Sequence, residues 1–294
     1  MSNSRIKIVI TGANGFVGRQ LINHLKSKRI YDIFATSLSE DKYPDEGYFF
    51  LEVNLTDKMQ VDFIIDRIQP HYIVNTAALS SIVDCEENPD EAKAINTTAV
   101  SYLAEAADKC GAHLIQLSTD FVFNGNHNVP YTELDPTRPI NVYGQTKAEA
   151  EKLITKTLPN QSAILRIVVV YGNPLPGQHG NIVSMICDKL NNGEEITLVS
   201  DQYRTPTYVG DICIAIEEVI KQKATGIYHI SGSELFTIYE LGLYIAQLLR
   251  YDPTLVKPLV SNDELRPLYT PLSNEKAREQ LGFTTITIEQ YLGR

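Results

Sequence analysis

Residues 6–18 read IKIVITGANGFVG, and this stretch decides the fold. Its β-branched, apolar first part predicts a buried strand, and the glycines that follow predict a tight turn into a helix. Gly12 permits the turn, Gly15 lets backbone amides approach a phosphate group, and Gly18 lets the helix pack closely on the sheet. The helix N-terminus adds partial positive charge. The stretch therefore predicts a strand–turn–helix unit that binds a dinucleotide.

Five further apolar runs follow, at 31–36, 48–53, 71–77, 112–118 and 163–170. Segments with helical spacing lie between most of them. Strand–helix alternation of this kind predicts a parallel sheet that helices cover on both sides, with ligands at the carboxyl ends of the strands. In the helical segment 90–110, the residues expected on one face are Ala92, Ile95, Ala99, Leu103 and Ala106.

The pattern loosens after residue 172, where a loop rich in glycine and proline begins. We predict an α/β fold, a doubly wound parallel Rossmann sheet with a small C-terminal substrate-binding lobe. The Rossmann core is assigned to 1–165 with a returning segment at about 205–230, and the lobe to 166–204 and 231–294. Expected elements of the later part are a helix near 181–192, strands at 196–199 and 227–230, and a helix at 236–249 with Thr237 as N-cap.

Charge and composition exclude several classes of function. The chain has 26 Lys and Arg against 36 Asp and Glu, a net charge of −10, which disfavours nucleic-acid binding. No apolar run reaches the roughly 20 residues of a membrane span, and we expect no signal peptide. The four cysteines show no CxxC spacing, so free thiols in a reducing cytoplasm are expected, without a metal site.

Tyr143 and Lys147 are the candidate catalytic pair. A spacing of four places both side chains on one face of a predicted helix over 143–157. Reduction of a carbonyl needs a hydride and a proton, and a free tyrosine has too high a pKa to exchange protons well at neutral pH. A lysine ammonium nearby is expected to lower that pKa and to hydrogen-bond a nicotinamide ribose.

The sequence resembles the short-chain dehydrogenase/reductases, in the extended branch. The glycine spacing is GxxGxxG, and the stretch STDFVFNGNHNVPYTELDPTRPINVYGQTKAEAE (118–151) resembles the dTDP-4-dehydrorhamnose reductase subgroup. NTAALSSIVDCEENPDEAKAIN (75–96) and DQYRTPT (201–207) extend the resemblance to about residues 5–215. The resemblance implies transfer of hydride from NAD(P)H to C4 of a nucleotide-linked 4-keto-6-deoxysugar.

The resemblance also implies roles for individual residues. Thr119 would orient the keto group, Tyr143 would protonate it, and Lys147 would support Tyr143 and the ribose. The residues expected to contact the sugar nucleotide are Ser80, Ser81, Thr119, Asn181, Gln202 and Arg204. Those expected to bind NADP(H) or NAD(H) are Gly12, Asn14, Gly15, Phe16, Val17, Gly18, Ser37, Asn54, Leu55, Ala77, Ala78, Tyr143 and Lys147.

The cofactor preference depends on the end of the second strand. A carboxylate there would grip the ribose 2′-hydroxyl of NAD, but the sequence reads Ala-Thr-Ser-Leu over 35–38. NADPH is therefore slightly favoured, with Arg19 or Lys42 as the cation for its 2′-phosphate. Asn54 stands where the family usually has an aspartate for adenine; shaping a turn is its alternative role.

Two features depart from the subgroup. Val168-Val169 replaces an expected Ser-Trp after Arg166, which removes an aromatic surface for the nucleotide. Arg166 itself is expected to pair with a buried carboxylate or to touch ligand. Gln20 replaces a glutamate that binds magnesium in some relatives, so no metal is predicted.

Two other functions stay open. The regulatory subunit of methionine adenosyltransferase resembles the same subgroup and binds a dinucleotide as a partner protein. Sugar-nucleotide epimerases and dehydratases are less favoured, because they usually carry the 2′-hydroxyl-binding acid and a longer lobe. A homodimer is expected, with a monomer as the alternative.

Overall fold

The computed structural model describes residues 5–293, so residues 1–4 of the predicted core and 294 of the predicted lobe lie outside the described part. The described strands are β1 (Ile6–Thr11), β2 (Tyr31–Ser37), β3 (Phe49–Glu52), β4 (Tyr72–Asn75), β5 (His113–Thr119), β6 (Ser162–Ile167), β7 (Val170–Tyr171), β8 (Ile196–Val199), β9 (Tyr203–Arg204), β10 (Thr207–Tyr208), β11 (Gly226–Ile230), β12 (Phe236–Thr237) and β13 (Val256–Leu259). The helices are α1 (Phe16–Lys28), α2 (Lys58–Ile68), α3 (Ile82–Glu87), α4 (Pro89–Lys93), α5 (Ala99–Cys110), α6 (Val142–Thr157), α7 (Ile182–Asn191), α8 (Val209–Gln222), α9 (Ile238–Leu249), α10 (Glu275–Leu281) and α11 (Ile288–Leu292).

Seven parallel strands form the central sheet, in the order β3-β2-β1-β4-β5-β6-β11. The order reverses direction between β1 and β4, as in a doubly wound fold. Successive residues of β1 point to opposite faces, so Ile8 and Ile10 pack in the layer of α1 and α8. Val9 packs in the layer of α2, α5 and α6. The predicted doubly wound Rossmann sheet is confirmed.

The predicted helix over 90–110 is interrupted. A π-helical turn, Ala94–Thr98, separates α4 from α5. A π turn inserts one residue into the helical period, so the buried face shifts within the turn. Ile95 in the turn is half-buried and Asn96 is fully buried in its place, whereas Ala92, Ala99, Leu103 and Ala106 are buried as predicted.

A separate apolar cluster lies in the C-terminal lobe, where α7 and α9 pack together with β8 and β13. Thr237 caps α9 as predicted: its hydroxyl accepts from the amide of Glu240 at 3.0 Å, and the Glu240 carboxylate accepts from the Thr237 amide at 2.8 Å. Helix α10 differs from the predicted division, because its Ala277 and Leu281 pack against the core beside α8.

Within residues 5–293, no helix is long and apolar enough to cross a membrane. The four cysteines are free thiols, of which Cys85 and Cys213 are buried.

His229 on β11 is fully buried beside Arg166. Its Nδ1 lies 3.1 Å from the carbonyl oxygen of Tyr131, and its Nε2 lies 3.2 Å from Arg166 Nη1. Because arginine can only donate, Nε2 accepts and Nδ1 carries the proton. Burial and the guanidinium lower the pKa of His229 to about 3.

This histidine makes the fold sensitive to acid. The unfolded chain binds the proton below about pH 6.5 and the folded chain does not, so folding free energy is lost as pH falls from 6.5 towards 3. We expect His229 to account for roughly 2 kcal/mol of the loss between pH 7 and pH 5. In urea unfolding at both pH values, His229→Gln should lose less stability than the unmodified protein; equal losses would contradict this assignment.

Candidate functional site

The glycine turn between β1 and α1 approaches the end of β4 closely. Gly12 adopts φ +72°, and a Cβ there would lie 2.7 Å from the amide nitrogen of Ala77. A Cβ on Gly18 would lie 2.3 Å from the carbonyl oxygen of Gly12. Phe16 and Val17 are the first two residues of α1, so their amides have no partner within the helix. The turn therefore presents donors and a helix N-terminus to one side of the sheet.

A cavity of about 540 Å³ opens beside this turn. The predicted cofactor residues that line it are Gly12, Gly15, Ser37, Asn54, Leu55, Ala77 and Ala78. Residues missed by sequence analysis that also line it are Thr36, Leu38, Val53, Thr56, Thr76, Glu91, Ala94 and Ile95. The Thr36 hydroxyl is buried without a hydrogen-bond partner among the described residues, as expected of a group that a polar ligand would satisfy. The cavity thus fits a dinucleotide.

The buried floor below the turn is held by Asn75. Its Oδ1 accepts from the Thr11 hydroxyl and from the amide of Ala77, and its Nδ2 donates to Gln116 Oε1 at 2.8 Å. These bonds join β1, β4 and β5, because each strand contributes one partner. Thr76 adds a bond of 2.6 Å from its hydroxyl to the carbonyl oxygen of Thr11.

Two predicted cofactor residues have partners within the protein. The Asn14 amide group donates to the Glu40 carbonyl at 2.9 Å and accepts from the Lys42 amide at 3.1 Å, so it anchors the loop after β2. Asn54 Oδ1 accepts from the amide and the hydroxyl of Thr56 and thereby shapes a turn. Their contacts with a cofactor stay predictions.

Arg19 does not face the cavity. It is buried, donates to the Tyr48 hydroxyl at 2.8 Å and to the Tyr43 carbonyl, and lies over both aromatic rings. These contacts favour a structural role for its guanidinium, and its contact with a 2′-phosphate stays a prediction. Lys42 is exposed in the loop that Asn14 anchors.

Thr119 and Tyr143 meet at the carboxyl end of β5. Asn141 caps α6 by accepting from the amide of Gly144 at 2.7 Å, which places Tyr143 in the first turn. The Thr119 side chain lies close enough to the Tyr143 hydroxyl to influence its pKa, and the Phe121 ring packs edge-on against Tyr143 at 6.3 Å. Lys147 lies one turn later and is 3% exposed.

The acid–base properties of this pair differ from the expectation. Burial raises the pKa of Tyr143, and the nearby Asp120 and Cys85 raise it further. The Thr119 side chain lowers this pKa. Lys147 is not among the groups that shift it. Burial lowers the pKa of Lys147 to about 8, and Glu151 opposes that change. In the protein alone, the phenol is therefore kept protonated, and the expected lowering by Lys147 is not observed.

The predicted sugar-nucleotide residues fall into two groups. Ser80 and Ser81 are exposed, and Ser81 also caps α3. Gln202 is 5% exposed, and its Nε2 is a buried donor without a partner within residues 5–293. Contact of these three with substrate stays a prediction, which the free donor of Gln202 supports.

The other two are engaged within the protein. Asn181 caps α7 and donates to the Gly172 carbonyl at 2.7 Å. Arg204 is 2% exposed, and its guanidinium donates to the carbonyls of Tyr203 and Pro267 and lies 3.5 Å from Asp120. Both positions favour a structural role, and their contact with substrate stays a prediction.

The two valines at the Ser-Trp position differ from each other. Val168 is fully buried in a cluster with Phe123 and Leu272. Val169 is half-buried, and its φ of +36° lies in a region that β-branched residues rarely adopt. Of the two, Val169 is therefore the side chain that can reach a ligand.

Asn96, in the π turn, links the cavity to α6. It exchanges two hydrogen bonds of 2.9 Å with the backbone of Leu79, and its Nδ2 donates to the Thr146 hydroxyl at 3.2 Å. Thr97 donates to the Thr146 carbonyl at 2.8 Å. Since Thr146 adjoins Lys147 and Leu79 adjoins Ala78, these bonds connect the helix that carries the candidate catalytic residues to the lining of the cavity. Sequence analysis missed this role, because helical spacing carries no sign of a π turn.

Comparison with known proteins places this geometry in a family. Residues 6–294 match the family described as the RmlD substrate binding domain. The chain belongs to this family. Membership confirms the resemblance to the extended short-chain dehydrogenase/reductases and the expected class of NAD(P)-dependent oxidoreductase. Within residues 5–293, no group of three or more His, Cys, Asp or Glu side chains could hold a metal ion.

Three relatives of this RmlD-family chain illustrate the range of the family. The dTDP-4-keto-6-deoxy-D-glucose reductase of Streptomyces niveus is 31% identical over 95% of this chain and 92% of its own length. The crystal structure of dTDP-4-dehydrorhamnose reductase from Bacillus anthracis in complex with NADP is 28% identical, with a TM-score of 0.84 and 98% of each chain covered. The methionine adenosyltransferase 2 subunit beta of Mus musculus is 31% identical over 87% of this chain and 76% of its length.

The close approach at Gly18 gives a first test of the cofactor site. We expect Gly18→Ala to push the glycine turn away from β4 and to weaken NADPH binding at least tenfold, because overpacking of this kind costs about 1–3 kcal/mol. Titration of NADPH fluorescence measures the effect. Ser27→Ala, at the exposed end of the same helix, is the control and should bind normally. Unchanged binding by a folded Gly18→Ala variant would exclude this turn as the phosphate cradle.

Proposed function

We propose that this protein reduces the 4-keto group of a nucleotide-linked deoxysugar, with hydride from NADPH or NADH and a proton from Tyr143. The observation that carries the proposal is that Thr119 and Tyr143 meet at the carboxyl end of β5, with Lys147 one turn later on α6, a helix that Asn96 ties to the lining of a dinucleotide-sized cavity. The reductases among its relatives support the choice of substrate class.

The chain's own residues would divide the work. A nicotinamide dinucleotide, when bound, supplies the hydride. Thr119 hydrogen-bonds the keto oxygen and holds it against the Tyr143 hydroxyl. Tyr143, which burial and Asp120 keep protonated, gives its proton to the oxygen as the alcohol forms. Lys147, with a pKa of about 8, is mostly charged at neutral pH and can donate a hydrogen bond to the nicotinamide ribose.

Tyr143→Phe tests the proton donor. Removal of the hydroxyl leaves the ring in place, so NADPH binding should persist while kcat falls about 10²- to 10⁴-fold. The assay follows NADPH oxidation with a dTDP-linked 4-keto-6-deoxysugar. Tyr131→Phe, which removes the buried hydroxyl bonded to Asn124, is the matched control and should keep kcat. Full activity of Tyr143→Phe would exclude Tyr143 as the donor.

We infer a slight preference for NADPH, which Ser37 tests. Among residues 5–293, no carboxylate lines the cavity at the end of β2, where Thr36, Ser37 and Leu38 lie, so a 2′-phosphate meets no acidic side chain of this lining there. The carboxylate of Ser37→Asp should hydrogen-bond the ribose 2′-hydroxyl of NADH and repel the 2′-phosphate of NADPH. The ratio of NADPH to NADH affinity should therefore fall at least tenfold. Ser37→Asn controls for side-chain size. An unchanged ratio would show that the adenosine ribose lies elsewhere.

A role as a non-catalytic regulatory subunit is the second candidate. It is supported by the 31% sequence identity to the methionine adenosyltransferase 2 subunit beta. It predicts dinucleotide binding, no turnover of any 4-keto sugar nucleotide and tight association with an adenosyltransferase. Light scattering of the two proteins together, beside the turnover assay, separates it from the reductase.

A further inference from the structure

A buried carboxylate lies directly behind the candidate catalytic pair. Glu151 follows Lys147 by one turn of α6 and is 4% exposed. Residues four apart on a helix are neighbours, so the carboxylate and the ammonium share one face. Among residues 5–293, Glu151 is not one of the side chains that line the cavity beside the glycine turn, and the mechanism above does not use it.

Three hydrogen bonds fix this carboxylate. Its Oε1 accepts from the Ser118 hydroxyl at 2.5 Å and from Arg166 Nε at 3.0 Å, and its Oε2 accepts from Arg166 Nη2 at 2.7 Å. Arg166 is itself 2% exposed and lies over the Phe123 ring at 5.0 Å. A bidentate pair of this kind has one favoured geometry, so Glu151 has little freedom to move.

The partners of Glu151 belong to the strands that frame the site. Ser118 directly precedes Thr119 on β5, and Arg166 lies beside Ser118 on β6. Glu151 therefore connects the helix that carries Tyr143 and Lys147 to the strand that carries Thr119. The expected pairing of Arg166 with a buried carboxylate is confirmed by these contacts.

We propose that Glu151 is a positioning residue, which Ser118 and Arg166 hold one helical turn from Lys147 so that its carboxylate supplies the counter-charge of the ammonium. The proposal rests on the proposed role of Lys147. The surrounding charges leave Glu151 as the group that acts on Lys147: Arg166 on β6 is paired with Glu151, and His229 on β11 is neutral. Asp120 after β5 and Cys85 on α3 act on Tyr143 instead.

The consequence is a dependence on pH. A charged Lys147 would attract the anionic dinucleotide, so binding weakens as the ammonium loses its proton above about pH 8. Glu151 raises that pKa, so the neutral side chain of Glu151→Gln should move the weakening to lower pH. NADPH fluorescence titrations from pH 6 to pH 9.5 measure the pH at which binding weakens, and they need no sugar substrate. The falling part of this pH profile is called the alkaline limb.

Three variants isolate the carboxylate. Glu151→Asp keeps the charge and should leave the limb close to that of the unmodified protein. In Glu151→Gln alone, Arg166 would be a buried charge without a partner. The double variant Glu151→Gln and Arg166→Met removes that charge, so it should fold and should show the same shift as Glu151→Gln. Glu149→Gln removes an exposed charge from the same helix and should cause no shift. Thermal melts identify the variants that fold.

The outcomes separate this inference from the proposed function. A folded variant without the carboxylate whose limb stays in place would overturn the role of Glu151, whatever the turnover assay shows. A shifted limb together with no turnover of any 4-keto sugar nucleotide would support Glu151 and overturn the reductase. An equal loss of affinity at every pH would indicate a purely structural role and would also overturn the inference.

Discussion

The ion pair between Glu151 and Arg166 is the interaction on which the candidate site depends. It fastens α6 to β6, through Ser118 to β5, and through His229 to β11. All of these groups are buried, so removal of one partner would leave an unpaired charge at a cost of about 3–5 kcal/mol. The positions of Thr119, Tyr143 and Lys147 follow from it, because each lies on an element that the pair joins.

The cofactor cavity depends on a different constraint, which is the space that the glycine turn leaves. Gly12 and Gly18 have no room for a side chain, and Asn75 ties the strands below them. Asn96 then joins the far end of the cavity to α6. The proposed reaction thereby draws on two separate buried networks, one around Asn75 below the glycine turn and one around Glu151 behind α6.

Apolar runs and helical periodicity predicted the core of the fold, because the central strands are buried on both faces and most helices bury one face of regular spacing. Thr237 and the pair of Tyr143 and Lys147 were located for the same reason, since capping and helical spacing are local. The π turn at Ala94–Thr98 was missed, because one inserted residue leaves no mark on the composition. The enclosure of Arg19 and Arg204 was also missed, since their partners lie far away in the chain: Tyr43 is 24 residues from Arg19, and Leu268 is 64 residues from Arg204.

The acid–base state of the site was the least predictable part. Spacing shows that Lys147 lies near Tyr143, but the pKa of each depends on burial and on Asp120 and Glu151, whose proximity only the folded chain creates.

The most direct test of the account follows the hydride itself. With NADPH carrying deuterium at the nicotinamide C4, the account predicts one deuterium at C4 of the sugar for each NADPH oxidised, read by NMR. Bound NADPH that delivers no deuterium to any 4-keto sugar nucleotide would contradict it.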